Sequence, residues 1–194
     1  MKKIFCILIL LATVINIKAE DFTGDISFLK HDSKIAITFN YDGIKIGGKP
    51  ARQFIMITYN KKRDESFIES NFTSFAEYEA YWKDSVMPRL EKIFIDNFKA
   101  RQAQLKKVNS VQIVDEKDCQ FLIKITLKHV DTDGEIDAVA AIMKKANDGY
   151  DEPCAYIELN GNGEHRKWLE DKMQKAFKNM SKDLCTEIDK HMTE

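Results

Sequence analysis

Between Phe121 and Lys128 the side chains alternate. Phe121, Ile123, Ile125 and Leu127 fall on one side, and Gln120, Lys124, Thr126 and Lys128 on the other, with Leu122 the exception. Successive side chains of a strand point to opposite faces, so this period of two describes a sheet element buried on one side and wet on the other. A sheet of that kind needs a layer to cover its oily face. The C-terminal stretch from Arg166 to Met192 supplies one: Leu169, Met173, Ala176, Phe177, Met180, Leu184 and Ile188 recur at the three- and four-residue spacing of a long amphipathic helix.

Other segments fit the same plan. Ile35, Ile37, Phe39 and Tyr41 alternate along a strand that Asp42-Gly43 ends, and Gly47-Gly48-Lys49-Pro50 marks a second break in the chain. Residues 51–62 are ambiguous: the run Phe54-Ile55-Met56-Ile57-Thr58-Tyr59 suits a strand, whereas Pro50 suits the start of a helix. Residues 64–74 are polar and read as a loop ending in a capping box, Ser74 with Glu77. The helix behind that box carries Tyr78, Tyr81, Trp82, Leu90, Phe94 and Phe98 on one face, and Pro88 predicts a kink or break near Val86. Asp131-Thr132-Asp133-Gly134 reads as a hairpin turn, Ile136 to Met143 as a return strand and Cys154 to Leu159 as a last short strand. Short turns between consecutive strands favour an antiparallel meander. The expected fold is α+β: a small, mostly antiparallel sheet of three to five strands, two long amphipathic helices on one face, and a helix-containing insertion after the first main strand.

The first nineteen residues bear on location. Lys2 and Lys3 precede an apolar run from Ile4 to Ile15, and Ala19 closes a credible cleavage site. Twelve apolar residues are too few to span a bilayer, which takes about 20. The expected organisation is therefore a signal peptide over residues 1–19 and one domain over residues 20–194, exported to the periplasm or beyond, with no transmembrane span after cleavage. Taking Lys2, Lys3 and Lys18 from the 30 basic residues leaves 27 against 31 acidic ones. That mild acidity argues against a nucleic-acid partner.

Cys119, Cys154 and Cys185 survive cleavage, an odd count that permits one disulfide. Their spacing suits buried thiols better than a redox pair or a thiolate metal cluster. No catalytic signature is present, and neither a metal site nor a cofactor is expected. His129 beside Asp131 and Asp133 reads as a solvated turn. Gly161 and Gly163, just ahead of the last helix, form a weak anion-binding candidate that Glu164 opposes.

The segments GDISFLK, KIAITFNYDGIKIGG, EYEAYW, PRLEKIFIDNF, FLIKITLKHV and KMQKAFKNMSKDLCTEI together resemble a group of uncharacterised secreted proteins of Bacteroidetes. That group is similar, more distantly, to the small α/β units of envelope lipoproteins and to the N-terminal domain of the Tol–Pal periplasmic protein. The resemblance implies an envelope location, an α/β fold and a helix over residues 51–62. It implies no activity and no cofactor.

The favoured functional reading is a non-enzymatic interaction or assembly protein, with an envelope protein or a second copy as partner. Tyr78, Tyr81, Trp82 and Phe98, together with the wet sheet face, are its candidate surface. The competing reading is a small-molecule or lipid carrier in which the same aromatics line a pocket between helix and sheet. A hydrolase assembled from dispersed carboxylates with His129 or His165 comes third.

Overall fold

The computed structural model describes residues 22–62, 66–163 and 168–193. The leader read at residues 1–19 lies outside the described residues, as does His165. Among the described residues there are nine strands: β1 (Phe22–Gly24), β2 (Lys34–Asn40), β3 (Lys45–Ile46), β4 (Lys49–Pro50), β5 (Gln112–Ile113), β6 (Phe121–Val130), β7 (Ile136–Ala146), β8 (Gly149–Tyr150) and β9 (Ala155–Gly161). The main order is β1-β9-β7-β6-β2-β5, with β3 extending the end of β6, β4 paired to β3, and β8 paired to β7.

The expectation of a small, mostly antiparallel sheet of three to five strands with two long helices is overturned. The sheet has nine strands and is mixed: β6, β7, β9 and β1 run antiparallel to one another in turn, whereas β2 pairs parallel with both β6 and β5, and β3 parallel with β6. Chain between β2 and β6 causes the difference, because it folds into helices that carry it back to the starting end, and parallel neighbours require such a crossover. Among the described residues there are four helical runs besides two short 3-10 turns. They are α1 (Ala51–Lys62), α2 (Ser66–Asn71), a run of 28 residues made of α3 (Phe75–Tyr81), a π turn (Trp82–Val86) and α4 (Met87–Gln102), and finally α5 (Leu169–His191). Residues 51–62 are thus helix, and the loop read at 64–74 contains α2.

Pro88 neither ends nor breaks the long run. Its missing N–H and its ring conflict with the carbonyl four residues back, and the helix answers by widening into a π turn, in which Met87 N–H bonds the Trp82 carbonyl. One added residue rotates the upstream face by about 100° relative to the downstream one. The run begins at the expected cap: Ser74 Oγ accepts from Glu77 N–H at 3.3 Å, while the Glu77 carboxylate reaches one residue beyond the cap and accepts from Thr73 N–H at 2.7 Å. The Thr73 bonds hold the Glu77 carboxyl below the usual range.

Helices α4 and α5 lie side by side across one face of the sheet. Phe94 meets Phe39 of β2 edge-on at 5.2 Å, while Met173, Phe177, Met180 and Leu184 of α5 are fully buried over β7 and β9. Beneath them sit Ile123, Ile125 and Leu127 of β6, Ile136, Ala140 and Ile142 of β7, and Ile157 and Leu159 of β9. The alanines of β7 let α5 approach closely. At Gly161 the approach is closer still, since a Cβ there would stand 2.8 Å from Ala176 Cβ. The opposite face of the sheet carries Lys124, Thr126, Asp137, Val139, Ala141, Tyr156 and Glu158; at one end of it Ala36, Leu122 and Cys119 are buried in a second small cluster, with Val114, Met143 and Tyr150 packed against them. Cys119, Cys154 and Cys185 are all free, so the one bridge that the count permits is not formed.

Candidate functional site

Helices α1, α2 and α3 sit beyond the end of the sheet, next to the β6–β7 turn and the start of α5. They are joined by aromatic rings. Tyr59 of α1 meets Phe75 and Tyr78 of α3 at 6.0 and 5.7 Å, and Phe72, just after α2, meets Tyr78 and Tyr81 at 5.1 Å each. Phe67 of α2 reaches Tyr81 at 6.2 Å and Trp168 at 5.6 Å. Arg52 of α1 pairs with Glu79 at 2.6 Å and lies over the Phe75 ring, closing the outer side.

These rings enclose a concave pocket of about 160 Å³ rather than filling the space. Phe54, Phe67, Tyr78, Tyr81, Trp82 and Trp168 wall it, and Thr58, Thr132, Leu169 and the polar Lys62, Glu170 and Lys172 complete it. The site thus gathers three of the four aromatics read from sequence, Tyr78, Tyr81 and Trp82. It leaves out Phe98, which is fully buried in the core under α4, roughly four turns further along the same helical run. A larger hollow of about 620 Å³ beside the start of β6, bordered by Lys30, His31 and Lys144, is polar and wide open.

The charges at the pocket are held in place. Glu170 accepts from Tyr81 Oη and from Arg89 Nη2, each at 3.0 Å, which fixes the first turn of α5 to the long helix. Burial, with Glu170 close by, pushes the Tyr81 hydroxyl pKa upward. Lys172 donates to the Thr132 carbonyl at 2.9 Å and pairs with Asp133 at 3.2 Å, tying α5 to the β6–β7 turn. Lys62 places its ammonium 4.4 Å from the centre of the Trp168 ring. Trp82, at the start of the π turn, buries its indole N–H without a hydrogen-bond partner. An unsatisfied buried donor costs about 1–3 kcal/mol, so the wide turn holds this ring at an energetic cost.

The remaining sequence candidates have structural contacts. Gly161, the last residue of β9, lies against Ala176, and Gly163 lies against the Asp133 and Gly134 backbone. Both glycines sit where a side chain would collide with neighbouring chain. Helix α5 starts only at Leu169, several residues beyond them. His129 is half-buried on β6 opposite Asp137, and Asp131 builds its turn by accepting from the N–H groups of Asp133 and Glu135 at 2.7 and 2.9 Å. Among the described residues, no cluster of three His, Cys, Asp or Glu side chains could hold a metal ion.

Sequence reading missed Phe54, Phe67 and Trp168. Phe54, Thr58 and Lys62 form an i, i+4, i+8 stripe that shows once residues 51–62 are taken as helix. Phe67 lies within the stretch read as a polar loop, and Trp168 lies ahead of the first periodic position of α5, so neither carries a pattern signal.

No family model and no curated protein matches the chain. The resemblance to the Bacteroidetes group and to the Tol–Pal domain therefore gains no support from them. No helix among the described residues is long and apolar enough to cross a membrane. Among solved structures, the chain is similar to the PelC dodecamer from Paraburkholderia phytofirmans at 11% identity, over 89% of this chain and 96% of that one, with a TM-score of 0.37. A single-substitution variant of that dodecamer gives 10% identity over 84% and 95%, again with a TM-score of 0.37. A likeness at that score is too slight to assign a fold or a function, and the pocket is interpreted from its own residues.

Proposed function

We propose that this chain is an exported binding domain whose aromatic pocket takes a small, ring-sized apolar ligand. The observation that carries the reading is the pocket itself: six aromatic side chains from four separate segments converge on an enclosed space and leave it open. Core aromatics pack without voids, because interiors reach the density of organic crystals. An apolar cavity of about 150 Å³ takes a benzene-sized guest, whereas drug-sized ligands need about 300 Å³ or more. The ligand class is therefore a single ring, or one ring of a larger molecule whose remainder lies at the mouth. The rings supply stacking surface and exclude water, while Lys62, Glu170 and Lys172 place polar groups of both signs at the lining. Export rests on the leader read at residues 1–19. The interaction reading favoured from sequence took the aromatics or the wet sheet face as its surface, and a flat or convex aromatic patch would favour it; the concave arrangement of Tyr78, Tyr81 and Trp82 supports the carrier reading for these residues.

The chain holds two tryptophans, Trp82 and Trp168, and both line the pocket, so intrinsic fluorescence reports on this site. Titration with toluene, phenol and benzoate should give a saturable change in emission and a rise in melting temperature for at least one of them. Unchanged emission and melting with all three probes at millimolar concentration would sink the proposal.

A further inference from the structure

The larger, polar hollow lies at the opposite end of β6 and β7 from the aromatic pocket. Thr132 in the β6–β7 turn lines the pocket, whereas Gln120 and Phe121 at the start of β6, with Lys144 and Lys145 at the end of β7, line the hollow. Its charges are unbalanced. Lys30, Lys144 and Lys145 face one carboxylate in the lining, Asp32, which stands 3.0 Å from His31 Nδ1. Asp118 and Asp148, near in sequence, do not line it. None of the three lysines is ion-paired among the described residues, whereas Lys172 at the aromatic pocket pairs with Asp133 at 3.2 Å.

Two sides of the hollow are fixed. Lys145 Nζ donates to the carbonyls of Glu116 and Lys117 at 3.1 and 2.6 Å. An ammonium has three donors and both acceptors are neutral, so Lys145 keeps its charge, a set position and one unspent N–H. The Glu116 carboxylate itself accepts from the Tyr150 hydroxyl at 3.1 Å. Opposite, the turn from Lys30 to Ser33 is closed twice, by Ser33 N–H on the Lys30 carbonyl at 3.1 Å and by Lys30 N–H on Ser33 Oγ at 2.9 Å. That turn holds Asp32 at a φ of 64°, the one non-glycine residue in the left-handed region among the described residues. Strain of this kind persists where the surroundings over-determine it, and it gathers at binding sites. The rings of Phe28 and Phe121, stacked at 4.9 Å, give the lining an apolar stretch.

We propose that this hollow binds an organic dianion, with an apolar middle resting on Phe28 and Phe121 and an acid group at each end. Lys144 stands opposite Phe121 in the β6–β7 ladder, and Lys145, the next residue, points to the other face of the sheet. The two ammoniums are therefore separated across the end of β7. A ligand with one acid group reaches one of them, and a two-headed ligand reaches both. Lysine offers a point charge rather than a planar fork, so carboxylate and phosphate heads are both accepted. The volume of about 620 Å³ lies in the usual range of ligand pockets, about 300–1,000 Å³. Because the hollow is open to solvent, its binding is sensitive to salt.

Isothermal titration calorimetry of the purified chain with biphenyl-4,4′-dicarboxylate and biphenyl-4,4′-diphosphonate tests the proposal, and the response to each identifies the head group. At least one should bind saturably at low ionic strength, about fivefold or more tightly than the monoanion biphenyl-4-carboxylate, and should weaken severalfold in about 0.3 M salt. The double variant K30Q/K144Q changes two exposed residues and should keep its circular dichroism while losing about tenfold in affinity. Thr58→Leu, which fills the aromatic pocket, should leave this binding unchanged, so either proposal can fail without the other. Three results would overturn the assignment: no saturable heat from either dianion at millimolar concentration, a K30Q/K144Q chain that binds as wild type does, or a monoanion that binds as tightly as the dianions. Loss of dianion binding in Thr58→Leu would also overturn it, by placing the probe in the aromatic pocket.

Discussion

The two halves of the 28-residue helical run carry the same kinds of side chain to opposite ends. Downstream of the π turn, Phe94 and Phe98 are fully buried against the sheet and α5, with Phe94 in ring contact with Phe39 and Phe177. Upstream, Tyr78 and Tyr81 meet the rings of Tyr59, Phe67 and Phe72, and together with Trp82 and Trp168 they line a cavity. The difference lies in what opposes each half. A flat sheet with a parallel helix can be packed closely, because alanines on β7 and Gly161 on β9 tune the approach. Three short helices meeting at a turn cannot close on one point, and rigid rings bridge the gap without filling it.

The largest effect should come from the closed half. Phe98→Ala removes a fully buried ring and leaves a void that the surrounding sheet cannot collapse into, at a cost of about 3–5 kcal/mol. The melting temperature should fall by roughly 10 °C, while probe affinity, measured at a temperature where the variant is folded, should hold within about twofold. A comparable loss of probe binding would show that the two halves are one unit and would break the comparison.

Filling the open half should do the reverse. Thr58 lies on the wall contributed by α1, and Thr58→Leu places extra methyl groups in the pocket while replacing a β-branched residue with a better helix former. Binding of the responding probe should fall at least tenfold, with stability unchanged or raised by about 1 kcal/mol. Destabilisation on filling would mean that the space is already closed.

The pocket escaped the sequence because its walls come from many segments. Phe121 to Leu127 announce their face because strand side chains alternate strictly, and α5 announces its own over more than five turns. Strands β3, β4, β5 and β8 have two residues each, too few for any period, and they account for most of the underestimate of the sheet. The parallel pairing of β2 with β6 depends on how the intervening helices fold, which is a long-range property. Tyr78 and Phe98 carry the same local signal of an aromatic on an apolar face. Only the number of rings arriving from elsewhere separates a pocket wall from a core residue.

A smaller effect should come from Tyr81→Phe. The ring stays, but Glu170 loses one of its two donors and keeps Arg89, so the cost should be about 1 kcal/mol. The melting temperature should drop by a few degrees and probe affinity should change little, since the wall keeps its shape. A large loss of affinity would assign the hydroxyl to the ligand and sharpen the chemistry of the pocket.

The smallest effect concerns the dryness of the closed half. Cys185 on α5 is fully buried; burial chiefly, and Asp189 to a lesser degree, push its thiol from 9.0 up to about 12, against an opposing pull from Arg101. The native state therefore keeps a proton that the unfolded chain releases above about pH 9. Stability tied to this thiol is complete below that pH and declines as pH rises toward 12. By about pH 9.5 the loss should be under about 1 kcal/mol, visible as a slope in denaturant midpoint between about pH 8.5 and 9.5 that Cys185→Ala removes. In the same range, a thiol reagent should label the half-buried Cys154 in the folded chain and reach Cys185 only on unfolding. If Cys185 reacts as fast as Cys154, water enters the α4–α5 layer, and the contrast between a closed half and an open one does not stand.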